Sequence, residues 1–197
     1  WGRFLVHIGV RDAQVAGAAN ERFYQQYKAG TLDIQEFLAF QLAILAQHPR
    51  EQLHAWHAQY MQQCVQPMIT PAARALVEQH RQAGHTLMII TATNRFVTAP
   101  IAAEFGIEHL IACEPEVDAQ GHYTGKATGV PSFQTGKITR LEEWLGVRGL
   151  TLEQLEHSWF YSDSHNDLPL MQQVDTPVAV NPDDTLLAHA HAHGWQV

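Results

Sequence analysis

The chain has 197 residues, 46% hydrophobic and 16% charged, enough to bury a core and too apolar for a disordered tail or a small disulfide scaffold. Lys and Arg total 12 against 20 Asp and Glu, a net charge of −8 with histidines neutral. That balance argues against a nucleic-acid phosphate-backbone binder and for a metal or a small polar substrate. No apolar run approaches a membrane span, and the distant Cys64 and Cys113 fit a reducing, cytoplasmic setting.

The elements follow in chain order. Asp12 to Ala29 reads as a helix closed by Gly30, and Thr31 as the N-cap of a second helix through Phe37, Leu38, Leu42 and Leu45. Pro49 opens a third, with Leu53, Trp56, Tyr60 and Cys64 on one face. Residues 1–69 therefore form an all-helical segment. From about residue 70 the pattern changes to alternating helices and short apolar runs, the mark of βα units and a parallel sheet. Helix Pro71 to Ala83 leads to strand His85 to Ile90, helix Phe96 to Phe105 to strand His109 to Cys113. A polar excursion turning at Gln120-Gly121 reads as a hairpin. Helix Lys137 to Leu145, a short helix near Leu152 to Leu155, strand Ser158 to Ser162, helix Leu168 to Gln173, strand Pro177 to Val180 and helix Asp184 to His193 complete the series. The fold class is α/β: a Rossmann-like parallel sheet flanked by helices over residues 70–197, with an all-helical cap over 1–69. The chain starts at Trp1 rather than Met and stops at Val197 in what reads as the opening of a strand, so it is expected to be a fragment trimmed at both ends.

Three places carry candidate chemistry, since working groups of open parallel sheets sit at the carboxyl ends of strands. Thr91 closes a strand, and its hydroxyl with the N–H groups of Ala92 and Thr93 at a helix start makes an anion site, although Thr and Asn there also serve as ordinary caps. Asp163, Asn166 and Asp167 follow another strand in "SDSHND". Crowded oxygen ligands suit a hard cation such as Mg²⁺, the alternative being that they cap the next helix. Lys137 begins a helix against the macrodipole, which a nearby phosphate would explain, although taken alone a solvated surface lysine is the commoner fate of any single Lys. His165 is a candidate substrate contact. His54, His57, His189, His191 and His193 lack the spacing of a metal set.

The order of Thr91, Lys137 and Asp163-x-x-Asn166-Asp167 resembles the haloacid dehalogenase superfamily of phosphohydrolases. It is most similar to the phosphoserine-phosphatase-like branch with a helical cap, over about residues 70–197. By position Thr91 matches the motif-two hydroxyl, Lys137 the motif-three lysine, and Asp163, Asn166 and Asp167 the fourth motif, with Ser162 in place of the usual Gly. The resemblance implies a nucleophilic Asp that forms an aspartyl-phosphate, a second Asp as acid and base, and Mg²⁺ bridging phosphate and protein. It implies that Thr91, Ala92, Thr93, Lys137 and Asn166 bind substrate, that Asp163 and Asp167 form the metal set, and that Asn166 and Asp167 orient waters and Lys137. Thr91, Lys137, Asp163 and Asp167 then make up the catalytic group.

Motif one, Asp-x-Asp, is absent, since no two aspartates stand two apart. A strand plus loop of roughly 10 to 25 residues is expected upstream, and the fragment alone is expected to be inactive. The activity implied is phosphatase action on a small phosphorylated metabolite. The alternatives are a phosphotransferase of the same superfamily and a noncatalytic phosphate- or metal-binding module. Phe37 to Pro49 has no Lys or Arg where the similar phosphoserine phosphatases tend to carry an arginine for the amino-acid carboxylate, which disfavours phosphoserine and leaves esters such as histidinol phosphate or a lysophospholipid phosphate open.

Overall fold

The computed structural model describes residues 1–197 and divides into two compact units, Trp1–Pro131 and Ser132–Val197.

In the first unit, helices α1 (Gly2–His7), α2 (Ala13–Lys28), α3 (Ile34–Ala46) and α4 (Arg50–Tyr60) come first. The Asp12 carboxylate accepts the N–H groups of Gln14 and Val15 to start α2, and Asp33 does the same for Gln35 and Glu36 at α3. The expected cap Thr31 gives way to Asp33 because a carboxylate closer to the helix captures both orphan donors. Pro49 is the cap residue of α4 rather than its first helical residue. The helix continues through a π turn, Met61–Val65, into α5 (Gln66–Met68), with the Gln66 N–H donating to the Met61 carbonyl. The wider turn brings Met61 into the buried set and leaves Cys64 half-buried.

After α6 (Pro71–Gln82) come β1 (Met88–Asn94), α7 (Arg95–Glu104), β2 (His109–Val117) and β3 (Tyr123–Thr128). β1 starts at Met88 instead of the expected His85 and continues past Ile90 to Asn94. β2 pairs parallel with β1, Met88 facing His109 and Ile90 facing Ile111, then antiparallel with β3 from Glu114 opposite Thr128. The expected hairpin is present. The Asp118 carboxylate accepts the N–H groups of Gln120 and His122, and Gly121 supplies the turn's positive φ of 85°. α3 lies on β3 so closely that a Cβ on Gly125 (φ +83°) would fall 3.3 Å from the Ala46 Cβ. Leu5, Leu38, Leu42, Leu45, Leu53, Phe96, Val97 and Cys113 form this unit's core.

The second unit holds α8 (Thr135–Gly146), a 3₁₀ turn at Leu152–Gln154, β4 (Trp159–Ser162), a 3₁₀ turn at His165–Asp167, α9 (Leu168–Met171), β5 (Thr176–Ala179) and α10 (Asp184–His193). β4 and β5 pair parallel from Trp159 opposite Thr176 to Ser162 opposite Ala179. Gln196 makes a parallel bridge to Val178, the strand opening read at the carboxyl end. Met171, Ala179, Leu186 and Ala190 form a separate core with Phe160, Leu168 and Trp195 packed on it.

The α/β class and the parallel pairing are as expected from the sequence. The contact division after Pro131 differs from the expected division after residue 69, because α3 buries the β3 face and Phe96 and Val97 enter the same core as the early helices. No helix is long and apolar enough to cross a membrane.

Candidate active site

In the first unit, Thr91 lies in β1 beyond its last regular pairing with β2, where the register shifts between Ile90 and Asn94. Its Oγ1 accepts the Thr93 N–H at 3.1 Å. Helix α7 starts later than the sequence suggested: Asn94 is its cap and accepts the Val97 N–H. Ala92 and Thr93 therefore belong to an irregular strand end, not to a helix N-terminus, and the expected helix-dipole contribution at those two N–H groups is absent. Arg95 fixes the start of α7, donating to both Glu114 oxygens at 2.7 and 2.8 Å and to the Leu110 carbonyl at 2.8 Å.

The second unit gathers the rest. Lys137, in the first turn of α8, is 5% exposed, so the solvated-surface alternative is ruled out. Its Nζ pairs with Asp167 Oδ1 at 2.5 Å and lies 5.7 Å from the centre of the Phe160 ring. Desolvating two charges is tolerable only when the pair is close and its remaining atoms are satisfied. The second Asp167 oxygen, Oδ2, accepts the Ser162 hydroxyl at 2.7 Å. This pairing also removes the macrodipole objection to a lysine at that position.

Asn166, 2% exposed, accepts the Gln134 side-chain amide on Oδ1 at 3.0 Å. Gln134 precedes α8 with φ 45°, a positive value uncommon for a residue with a side chain. Ser164 accepts the Asn166 N–H at 3.2 Å and caps the 3₁₀ turn. Asp163, at the end of β4, is exposed.

Asp183, ahead of α10, ties this loop down. Its Oδ2 accepts both the backbone N–H and the ring Nδ1 of His165 at 2.8 Å, and its own N–H donates to the Asp163 carbonyl at 2.9 Å. Burial pushes the Asp183 carboxyl up, but the N–H groups of His165 and Leu186 and the His165 ring more than offset it and hold it below the usual carboxylate value. With Nδ1 bound to a carboxylate, the His165 ring has a fixed orientation.

The structure thus brings together Lys137, Asp163, Asn166 and Asp167 around the end of β4, with Thr91, Ala92 and Thr93 in the other unit. Ser162, Gln134 and Asp183 were missed. The Asn-Pro-Asp-Asp run after the last strand was the only sequence signal for Asp183, as a helix cap. No cluster of three His, Cys, Asp or Glu gathers as a complete metal site. Both Asp167 oxygens are engaged by Lys137 and Ser162, so of the two carboxylates expected to bind a metal only the exposed Asp163 is open to a hard cation.

A family model described as haloacid dehalogenase-like hydrolase matches residues 1–172. The chain belongs to the haloacid dehalogenase-like hydrolase family. It is 44% identical over all 197 residues to a histidinol-phosphatase of Neisseria meningitidis serogroup C (strain 8013), covering 89% of that protein. A solved structure of a Bordetella pertussis Tohama I protein of unknown function matches with a TM-score of 0.92 and 42% identity, covering 100% of this chain and 88% of that one. A substrate-bound phosphoserine phosphatase matches with a TM-score of 0.65 at 17% identity, covering 95% of this chain and 81% of that one, a likeness of fold. Within this chain the Ser162 hydroxyl joins the Lys137–Asp167 pair through Asp167 Oδ2.

Proposed function

We propose that the protein is a Mg²⁺-dependent phosphatase of small phosphate monoesters that works through an aspartyl-phosphate, with histidinol phosphate as its substrate. The observation that supports this reading most is the buried Lys137 held by Asp167 beside the open Asp163 carboxylate. A buried, oriented ammonium is suited to charge that develops on a phosphoryl group. The identity to a histidinol-phosphatase over the whole chain supports the substrate, as does the lack of any Lys or Arg on α3 to receive an amino-acid carboxylate.

In this reading Thr91 and the Ala92 and Thr93 backbone bind phosphoryl oxygens. Lys137 neutralises charge on the phosphoryl group and on the nucleophile. Asp167 is a positioning residue that keeps the ammonium in place, and Asn166, locked by Gln134, orients solvent. Asp163 would hold Mg²⁺, which supplies Lewis-acid stabilisation of the phosphoryl oxygens. The helical residues 1–69 serve as a cap that selects the leaving group, residues 70–197 as the catalytic core, and the setting is cytoplasmic.

Residues 1–197 contain no two aspartates two apart. The nucleophile and the acid–base aspartate of this mechanism therefore lie outside them, and residues 1–197 alone are expected to release no phosphate. The test is phosphate release from histidinol phosphate and from phosphoserine by a chain extended upstream through an apolar run ending in Asp-x-Asp. Mg²⁺-dependent release favouring histidinol phosphate is expected. Release insensitive to chelation, or turnover by residues 1–197 alone, would overturn the mechanism.

A further inference from the structure

A cavity of about 430 Å³ lies within the first unit, between the α3–α4 corner and the tip of the β2–β3 hairpin. None of the residues assigned to the active site lines it. His48, Arg50 and Glu51 come from the corner, and Gln120, His122 and Tyr123 from the hairpin. Its volume falls in the range of small-molecule sites.

Arg50 decides its chemistry. The guanidinium carbon sits 4.4 Å from the centre of the Tyr123 ring, and the buried Nε has no hydrogen-bond partner. A buried donor left unpaired is unfavourable and marks a place where a partner belongs. The guanidinium lies against the Tyr123 ring in the wall of the cavity, and arginine takes a carboxylate or a phosphate through two hydrogen bonds. Two imidazoles line the same cavity. His48 packs edge-on against Trp56 at 4.7 Å, and the 72%-exposed side chain of His122 lies 3.5 Å from Asp118. The hairpin side of the cavity is preformed, because Asp118 fixes the Gln120–His122 turn through two backbone N–H groups.

We infer that this cavity is a second binding site, separate from the catalytic residues, for a small oxyanion held by Arg50 with His48 and His122 at its edge. A cation is disfavoured by the guanidinium.

The experiment follows the ¹H–¹⁵N resonance of Arg50 Nε in residues 1–197 during separate titrations with inorganic phosphate and malonate. A saturable shift at millimolar ligand is expected. It should persist in Thr91→Val, which removes the active-site hydroxyl, and the accompanying shift of the Gly121 N–H in the cavity wall should be lost in Arg50→Gln. His122→Ala, a change at an exposed hairpin tip that leaves the core untouched, should weaken the affinity about 5-fold. A response to one probe alone supports the site and assigns it to phosphate or to carboxylate. No response of Arg50 Nε to either probe, one abolished by Thr91→Val, or a Gly121 response that survives Arg50→Gln overturns the proposal. The outcome is independent of whether the protein is a phosphatase.

Discussion

Ser162 donates its hydroxyl to Asp167 at 2.7 Å, on the carboxylate oxygen opposite the one that takes Lys137. Asp167 is thereby a two-sided clamp: one side fixes a cation delivered by α8, the other fixes the end of β4. Replacing Ser162 with Ala leaves Oδ2 of a buried carboxylate without its donor, and the loss is expected to be about 1.5–3 kcal/mol, the range for hydrogen bonds to charged groups. Chemical denaturation of Ser162→Ala and of the parent chain checks this. In the extended enzyme the same change should lower kcat more than KM, since it loosens a group that acts on the transition state.

Lys137→Met should be more damaging to folding, because it abandons a carboxylate that is itself only 8% exposed. Breaking one side of a buried pair costs about 3–5 kcal/mol. The double variant Lys137→Met with Asp167→Leu should recover much of the loss while remaining inactive. Equal stability of the single and double variants would show that the pair is not desolvated.

Asp163→Asn should separate folding from catalysis. Asp163 is exposed at the strand end, so the thermal midpoint should stay within about a degree or two of the parent. Mg²⁺-dependent phosphate release by the extended enzyme should be lost. Retained Mg²⁺ dependence would remove Asp163 from the metal set.

His57 gives a pH dependence with a definite sign. The side chain is 3% exposed, and its Nε2 lies 2.9 Å from the Val97 carbonyl. Burial lowers its pKa below the ordinary 6.5, the bond to Val97 only partly opposing it. In the unfolded chain the ring therefore binds a proton at a pH where the folded chain does not. Stability is full above 6.5 and falls as the pH drops below that value toward the folded pKa. His57→Gln keeps an amide donor for Val97 and has no proton to gain. Denaturation between pH 7.5 and 5.5, about one unit either side of the reference value, should show a shallower pH slope in the variant.

Two glycines should respond in opposite directions. Gly125→Ala places a side chain on a residue at φ +83° and 3.3 Å from the Ala46 Cβ, and should destabilise by about 1–2 kcal/mol. Gly17, within α2, has nothing within 4 Å of an added Cβ. Gly17→Ala should stabilise by about 0.5–1 kcal/mol through helix propensity. Thermal unfolding of both variants checks the pair.

Elements whose signals are local are legible in the sequence. Helix α10 runs from Asp184 to His193 as its pattern indicates, and the Gln120-Gly121 turn marks the hairpin. Elsewhere a distant partner decides. Lys137 can be recognised as buried only when Asp167 is known to reach it, and Ser162, a small residue in sequence terms, acquires a role from that same carboxylate. Asp183 is 18 positions from His165, so no spacing rule connects them. Thr91 to Asn94 looked like the entry to a helix because Thr and Asn are good caps. The register shift in β1 that keeps the first three of them in strand geometry belongs to the pairing with β2.

The π turn at Met61–Val65 sets the rotational phase of all that follows it in the helix. Each helical residue contributes about 100° of rotation, and the wider turn absorbs one residue that a regular helix would have to place. The segment from Gln66 to Met68, and the approach to α6 beyond it, are therefore timed to that surplus. Deleting a single residue from this turn would yield a regular helix with the downstream phase kept, whereas the same deletion within α4 would rotate all that follows by about 100°.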